Sequence, residues 1–170
     1  MKTLLVLGCA VVTMASAPAA SPEIPNQLID YPAFLSHARQ VETVRAARRL
    51  TEDAFLAAMS EPGVVLLDAR SAAKFKLRHL RGAVNLSLLD FTAAELAKII
   101  PAKGTRILIY CNNNFLGSPA AMPPKAAPAS LNISTYVTLA TYGYTNVHEL
   151  GPLIDVRKSK LPFAGDEVGQ

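Results

Sequence analysis

Cysteine is scarce in this sequence, and one of the two cysteines lies in a segment typical of an export signal. Cys9 falls within the apolar stretch of residues 4–12, which follows a positive charge and precedes the small residues 15–20. This stretch is too short to span a bilayer and has the layout of a secretory signal peptide. We therefore predict a signal peptide over residues 1–19, export to the bacterial periplasm, and no transmembrane segment after its removal.

A chain without this signal has Cys111 as its single cysteine, which excludes an internal disulfide bond. Cys111 is then an inert buried thiol, half of an intermolecular disulfide or a reactive group. The three histidines and this cysteine do not have a spacing typical of metal ligands, and the sequence has neither a glycine-rich phosphate loop nor an internal repeat. The sequence thus predicts no metal and no other cofactor.

Charge of one sign is not concentrated in any part of the chain. The 17 basic and 13 acidic residues give a formal net charge of +4 and are spread along the sequence. The densest basic cluster contains Arg45, Arg48 and Arg49 on one predicted helix, and we interpret it as a solvated face rather than an anion or nucleic-acid site. We expect no nucleic-acid partner.

The domain organisation follows from length and composition. A chain of 170 residues with 51% apolar residues is long enough for one domain with a buried core. Residues 18–30 contain three prolines and no apolar periodicity, which indicates a flexible lead-in, and the apolar spacing from Pro32 predicts a helix. We assign residues 20–47 to the lead-in and N-terminal helix, and residues 48–165 to the main domain.

Helices and apolar strands alternate through this main domain. The predicted helices cover residues 51–59, 71–77, 92–100 and 130–142, and the predicted strands cover residues 64–68, 83–86, 107–110 and 147–150. Such alternation indicates an α/β domain with a mainly parallel central sheet flanked by helices. Residues 112–129 and 151–170 are predicted to be irregular.

Cys111 directly follows the predicted strand 107–110, and sites in parallel sheets lie at the carboxyl ends of strands. A thiol is a nucleophile only as the thiolate, which backbone amides, a helix N-terminus or a cation stabilises. The asparagines and glycine of residues 112–117 tolerate positive φ, so their amides could form a nest around the sulfur or a bound anion. The alternative is a small buried thiol followed by a surface loop.

Four motifs, in this order, resemble those of the rhodanese-like family. They are Asp68-Ala69-Arg70 after an apolar strand, His79 with Gly82-Ala83 before a short strand, Ile107–Tyr110 leading into Cys111, and Gly143-Tyr144 before the last strand. The resemblance covers residues 48–165. It implies the rhodanese-like fold, with the helix of residues 32–47 as an N-terminal addition.

The resemblance also implies a sulfurtransferase of the thiosulfate type. Cys111 would be the nucleophile and would carry a persulfide, with a small sulfur-containing anion as donor and a thiol as acceptor. Asp68 and Arg70 would support the loops near the site through an ion pair or hydrogen bonds, and His79 would fix a turn. The residues implied in substrate binding are Asn112, Asn113, Asn114, Phe115, Leu116 and Gly117.

The loop departs from the family's usual pattern, in which six residues begin at the cysteine and end in arginine. Leu116 occupies this sixth position, and Gly117 stands where related phosphatases require an arginine. Hydrolysis of phosphate esters is therefore not expected, because the bidentate phosphate clamp is missing. The chain is similar to an exported variant of the family with a Cys-Asn-Asn-Asn-Phe loop.

A proline-rich insertion at residues 118–128 makes the region after Cys111 longer than is usual in the family. It either opens or covers the site, and Lys125 within it either supplies the missing cation or is a solvated lysine. The insertion also leaves open whether the helix that begins near Ser130 points its N-terminus at the cysteine. Phe115 is either a lid over the sulfur or an anchor of the loop in the core.

Three functions follow from these features. The first is an exported rhodanese-like protein that handles sulfane sulfur through Cys111. The second is a non-catalytic rhodanese-like module that binds a protein or an anionic ligand with the same loop. The third is a thiol redox partner, which is disfavoured because the mature chain has no resolving cysteine.

Overall fold

The computed structural model describes residues 24–168, so the predicted signal peptide lies outside the described residues. The chain divides into two compact units, one up to Asp30 and one from Tyr31 onward. In the described part of the first unit, the Leu28 amide donates a hydrogen bond to Asn26 Oδ1 at 2.9 Å across a short turn. The helices and strands described below belong to the second unit.

The helices of the second unit begin where the sequence provides capping residues. In two of them the N-cap hydroxyl accepts a hydrogen bond from an amide of the first turn, Thr51 from Ala54 at 3.2 Å and Thr92 from Glu95 at 3.1 Å. The α-helices are α1 (Tyr31–Ala46), α2 (Glu52–Met59), α3 (Ala72–Leu77), α4 (Ala93–Ile99) and α5 (Leu131–Thr141).

A five-stranded parallel sheet lies at the centre of this unit, in the order β1-β7-β5-β2-β4. The prediction of an α/β fold with a mainly parallel sheet flanked by helices is confirmed. The strands of the unit are β1 (Arg49–Leu50), β2 (Val65–Asp68), β3 (His79–Leu80), β4 (Val84–Asn85), β5 (Ile107–Tyr110), β6 (Phe115–Leu116), β7 (Val147–Leu150), β8 (Ile154–Asp155) and β9 (Phe163–Ala164).

Strand β5 is buried on both sides because it lies between β2 and β7 and contributes to two separate cores. Ile107 and Ile109 belong to the core that also contains residues of α1, α4 and α5. Leu108 and Tyr110 belong to the opposite core, which includes residues of α2. This strict alternation explains why the strand is apolar throughout, as expected for the middle of a parallel sheet.

Two regions predicted to be irregular contain short regular elements, so the prediction is wrong for those segments. Strand β6 pairs in parallel with β8, and β9 pairs antiparallel with β3. Short 3-10 helices cover Asn112–Asn114 and Ala127–Ala129. These strands have two residues each and form only where a distant segment supplies the hydrogen-bonding partner, so they leave no periodicity in the sequence.

No helix within residues 24–168 is both long enough and apolar enough to cross a bilayer.

Candidate active site

Cys111 lies at the carboxyl end of β5, in the middle of the sheet. It is two residues after Ile109, so the alternation along the strand directs it to the face covered by α5. The side chain is buried, with 1% exposure, and its Sγ lies 3.6 Å from the hydroxyl of Ser130, the N-cap of α5. The N-terminus of α5 is therefore at the sulfur, which answers the question that the insertion left open.

Asn114 organises the loop that follows Cys111. Its Oδ1 accepts hydrogen bonds from the Cys111 amide at 2.9 Å and from Asn132 Nδ2 at 3.1 Å. Its Nδ2 donates to the carbonyls of Leu150 at 2.8 Å and Pro152 at 3.2 Å. One buried amide side chain thus connects the cysteine, the first turn of α5 and the end of β7.

Asn112 and Asn113 fasten the proline-rich insertion to the loop. Asn112 Nδ2 donates to the Pro123 carbonyl. Asn113 makes a two-way contact, because its Nδ2 donates to the Lys125 carbonyl at 2.8 Å while its Oδ1 accepts from the Lys125 amide at 3.0 Å. The insertion therefore packs against the cysteine loop.

The remaining loop residues predicted to bind substrate turn towards other parts of the domain. Phe115 is 2% exposed and makes edge-to-face contacts with Tyr110 and Phe163, which is the geometry of a core anchor. Leu116 is 51% exposed and pairs with Asp155 of β8. Gly117 has φ +83° and approaches Asp155 so closely that a Cβ would lie 3.0 Å from its Oδ1, so this position requires glycine.

Asp68 and Arg70 form a buried ion pair. Arg70 Nη2 lies 2.5 Å from Asp68 Oδ2, and its Nε donates to Oδ1 of the same carboxylate at 2.9 Å. The Tyr110 hydroxyl donates to Asp68 Oδ2 at 2.6 Å. Arg70 also donates to the carbonyls of Ala121 at 3.0 Å and Arg78 at 2.8 Å, so every side of the guanidinium is occupied.

Electrostatics in this network favour a charged pair beside a neutral tyrosine. Burial raises the pKa of Tyr110 well above its ordinary value, and the negative charge of Asp68 raises it further. Burial alone would lower the pKa of Arg70, but its hydrogen bond to Asp68 and the charge of that carboxylate outweigh this and raise it. The arginine is therefore a structural cation whose hydrogen-bond donors are used within the protein.

A cavity of about 430 Å³ adjoins the cysteine loop. Its lining residues include Arg70, Lys74, Leu88, Asn112, Lys125 and Ser134. The Nζ of Lys74 already donates to the Ala120 carbonyl at 2.7 Å, while Lys125 is exposed. The cavity thus combines an apolar wall with two ammonium groups, a combination that suits an anion carrying an apolar part.

His79 fixes a turn, as the sequence suggested. Its Nδ1 lies 2.8 Å from the Phe75 carbonyl, and its ring stacks on the Phe75 ring with centroids 3.7 Å apart. Among residues 24–168, no three His, Cys, Asp or Glu side chains are grouped so that they could hold a metal ion.

Sequence reasoning did not single out Ser130 or Asn132 as site residues. The sequence indicates Ser130 only as the start of a helix and Asn132 only as a residue of that helix. Both lie about twenty residues beyond the cysteine, and the long insertion obscures their proximity to it. A usable signal was present, since a helix N-cap that follows a strand-end cysteine in an α/β fold returns to the same edge of the sheet.

The sequence matches a known domain family over most of its main domain. The model of the rhodanese-like domain matches residues 51–151. The chain belongs to the rhodanese-like domain family. No curated protein matches the sequence at a significant level.

Solved rhodanese-like structures resemble this chain at low sequence identity. The rhodanese-like domain of the Alr3790 protein from Anabaena sp., solved in solution, has a TM-score of 0.50 at 16% identity and covers 72% of this chain and 83% of its own. A rhodanese with anions from E. coli is 21% identical, with a TM-score of 0.41 over 61% of this chain and 99% of its own. The BH2092 protein from Bacillus halodurans is 15% identical, with a TM-score of 0.45 over 69% and 76%. The first of these supports a shared fold.

Proposed function

We propose that this rhodanese-like protein transfers sulfane sulfur through a persulfide on Cys111. The observation that carries the proposal is the position of Sγ, at the carboxyl end of the central strand and 3.6 Å from the N-cap hydroxyl of α5. The N-terminal end of a helix favours negative charge, which suits a thiolate at this point. The adjoining cavity with Lys74 and Lys125 gives an anionic donor a place to bind.

The first half-reaction loads the cysteine with sulfur. The Cys111 thiolate attacks the outer sulfur of thiosulfate, a new S–S bond forms at Sγ, and the S–S bond of the donor breaks. Sulfite leaves with the electron pair of that bond, and the outer sulfur of the persulfide carries one negative charge. Charge and electrons balance without an external oxidant.

The second half-reaction unloads the sulfur. An acceptor thiolate attacks the outer sulfur of the persulfide, and the bond between this sulfur and Sγ breaks. Cys111 leaves as the thiolate, and the acceptor becomes a persulfide. The acceptor is therefore a thiol that fits the cavity beside the loop.

Burial of Cys111 adds one requirement to this cycle. The side chain is 1% exposed, and the insertion is fastened to the loop through Asn112 and Asn113. Sulfur transfer therefore requires a local opening of the segment that carries Pro123 and Lys125. Pro123 is half-buried and Lys125 is exposed, so such an opening costs less free energy than unfolding of the domain.

The proposal is tested by intact-mass spectrometry of the protein without residues 1–19. Incubation with thiosulfate should add the mass of one sulfur atom, and an acceptor thiol should remove it. Cys111→Ser should not gain this mass, and Ser118→Ala, a change at a buried serine elsewhere in the site region, should gain it like the unchanged protein. The absence of an adduct with thiosulfate and with an organic persulfide would overturn the proposal.

The second candidate is a non-catalytic binding module, and the burial of Cys111 is the observation that favours it. A loop whose three asparagine side chains are hydrogen-bonded and whose thiol is covered presents a fixed surface rather than a nucleophile. This candidate predicts no sulfur adduct, together with binding of an anion at the cavity that Cys111→Ala leaves unchanged. Calorimetric titration of the variant with sulfate or thiosulfate separates the two functions.

We also propose that the protein acts outside the cytoplasm, after removal of residues 1–19. The support is the sequence pattern of that segment, with its short apolar stretch between a positive charge and small residues. Expression of the full chain in a bacterium and N-terminal sequencing of the periplasmic fraction test this. A new terminus at Ala20 is the expected result, and retention of the full chain in the cytoplasm would contradict it.

A further inference from the structure

We propose that the Ser130 hydroxyl is the hydrogen-bond donor that stabilises the Cys111 thiolate, in place of a cation in the loop. The inference rests on the proposed function, since it assigns a residue to that reaction. It adds to the site a residue that lies outside the loop of residues 111–117 and beyond the insertion.

The Ser130 side chain does not perform the usual task of a serine at its position. A serine at an N-cap normally accepts a hydrogen bond from an amide of the first helical turn. Ser130 is the N-cap of α5, yet its side chain makes no capping hydrogen bond. Its Oγ instead lies 3.6 Å from Cys111 Sγ, within the range of hydrogen bonds to sulfur, and either atom is able to donate.

A second buried polar side chain, Asn132, lies in the network around the cysteine. Asn132 is 4% exposed, and its Nδ2 donates to Asn114, the residue that also receives the Cys111 amide. Its Oδ1 is buried and has no hydrogen-bond partner among the described residues. A buried acceptor without a partner is costly in a native protein, and a bound group with an O–H or N–H would satisfy it.

The nearby cations are less suited to this task than Ser130. Arg70 is saturated by Asp68 and by backbone carbonyls, and Lys74 donates to the Ala120 carbonyl. Lys125 is exposed and lies in the insertion, which has to open for substrates to enter. Ser130 starts a helix of 11 residues that is packed in the core, so its hydroxyl stays in place through the cycle.

The hydroxyl acts at two moments of sulfur transfer. Sγ carries the negative charge before it attacks the donor and again when the acceptor removes the outer sulfur. A hydrogen bond from Ser130 Oγ lowers the free energy of the thiolate at both moments, because bonds to a charged partner are stronger than neutral ones.

The test is the pH dependence of Cys111 alkylation by iodoacetamide, a neutral reagent, in the protein without residues 1–19. Ser130→Ala should move the midpoint of the rate profile to higher pH by about one unit, so that the rate at neutral pH falls about tenfold while the plateau at high pH is retained. A variant that changes only the access of iodoacetamide to Cys111 would change the alkylation rate by the same factor at every pH and would leave the midpoint in place. Ser130→Thr retains the hydroxyl and should keep the original midpoint.

Two further variants complete the experiment. Thr138→Ala, two turns later on α5 and not among the residues that line the cavity, should leave the profile unchanged. Ser130→Asp keeps a good N-cap and places a carboxylate at the sulfur, so it should move the midpoint further upward even if the alanine variant does not fold. An unmoved midpoint in Ser130→Ala, or in Ser130→Asp if alanine is not tolerated, overturns the inference. The alkylation assay uses no sulfur donor, so its result does not depend on sulfur transfer. If Ser130→Ala shifts the alkylation profile but the protein gains no sulfur from a donor, the proposed function is contradicted and the role of Ser130 is not.

Discussion

Arg70 Nη1 donates a hydrogen bond to the Ala121 carbonyl at 3.0 Å, and this bond joins the end of β2 to the proline-rich insertion. The same guanidinium is paired with Asp68, which also accepts the hydroxyl of Tyr110. The insertion is therefore built onto the ion pair that supports the sheet edge. The position of the insertion beside Cys111 therefore depends on the charged side chain of Arg70, which is held in place once the sheet has folded.

Replacement of Arg70 by methionine should destabilise the domain severely. The change leaves the Asp68 carboxylate buried without its counter-charge, which costs about 3–5 kcal/mol in the free energy of unfolding. Denaturant unfolding followed by circular dichroism measures this loss. Arg157→Met is the matched control, because the Arg157–Asp155 pair has a similar geometry with the arginine 75% exposed, and it should leave stability nearly unchanged. Equal effects of the two variants would contradict the prediction.

Asn114→Ala should loosen the cysteine loop. The variant leaves the Cys111 amide and the carbonyls of Leu150 and Pro152 without their partner, and each unsatisfied buried group costs about 1–3 kcal/mol. We expect a lower free energy of unfolding and faster hydrogen exchange at the Cys111 amide. Asn113→Ala should affect stability much less, since Asn113 is half-buried and contacts only the backbone of Lys125. Slow exchange at Cys111 in Asn114→Ala would be incompatible with this role.

Phe115→Ala distinguishes an anchor from a lid. Truncation of this buried ring should cost about 3–5 kcal/mol of stability, as for other aromatic residues in protein cores. A lid over the sulfur would instead expose Cys111 to alkylation with little loss of stability. Leu116→Ala, at the exposed neighbouring position, is the control and should change the thermal unfolding midpoint only slightly.

Lys125→Gln tests the contribution of the insertion to anion binding. The thiosulfate concentration that gives half-maximal persulfide formation should rise about threefold at low salt, as expected for one exposed charge. The effect should disappear at high salt, because exposed charges are screened. Lys158→Gln removes the same charge from a lysine that lines a different surface depression and should have no effect. Equal effects of both lysines would indicate a general effect of net charge.

His148 predicts a dependence of stability on pH. Burial lowers its pKa from 6.5, and the positive charges of Arg106 and Arg48 lower it further. The unfolded chain therefore binds a proton more readily than the folded one, so the neutral histidine stabilises the protein above pH 6.5, and this contribution decreases as the pH falls from there towards the folded-state pKa. The buried Nδ1 has no partner among the described residues to accept a bond from the added proton.

Replacement by phenylalanine should remove this dependence. Denaturant unfolding at a series of pH values below 7 should show a shallower loss of stability in His148→Phe than in the unchanged protein. His37→Phe replaces a half-buried histidine of α1 and is the control for the general effect of such a substitution. An identical slope in His148→Phe would remove His148 as the cause.

The sequence predicted the sheet well because its central strands carry an unambiguous signal. Strand β2 is an apolar run that ends at Asp68, and strand β5 is an apolar run directly before Cys111. The helix caps at Thr51 and Thr92 mark where two of the flanking helices begin. The two-residue strands were missed because they depend on partners far along the chain. Strand β3, for example, forms only where β9 returns more than eighty residues later.

The candidate site was predictable only in part. The neighbouring residues in the sequence are enough to identify a cysteine at the end of a strand. The residues that lie near this cysteine in the structure come from α5, and the insertion separates them from it in the sequence. Phe115, Leu116 and Gly117 follow the cysteine directly, yet they leave the site because the chain turns at Asn114 and pairs with β8. Adjacency in the sequence was therefore a poor guide to adjacency at the sulfur.

The alternation along β5 has a consequence for how the protein acquires its chemistry. Side chains alternate between the two faces along β5, so Cys111 lies on the same face as Ile107 and Ile109. This alternation brings the Cys111 sulfur to Ser130. A pairing slip of a single residue would exchange the sulfur with the phenol ring of Tyr110 and send it into the opposite core. The register of this one strand thus determines both whether the core packs and whether the Cys111 thiol lies at the N-terminus of α5. A molecule folded in the wrong register would have an unreactive cysteine instead of a reactive cysteine in the wrong place.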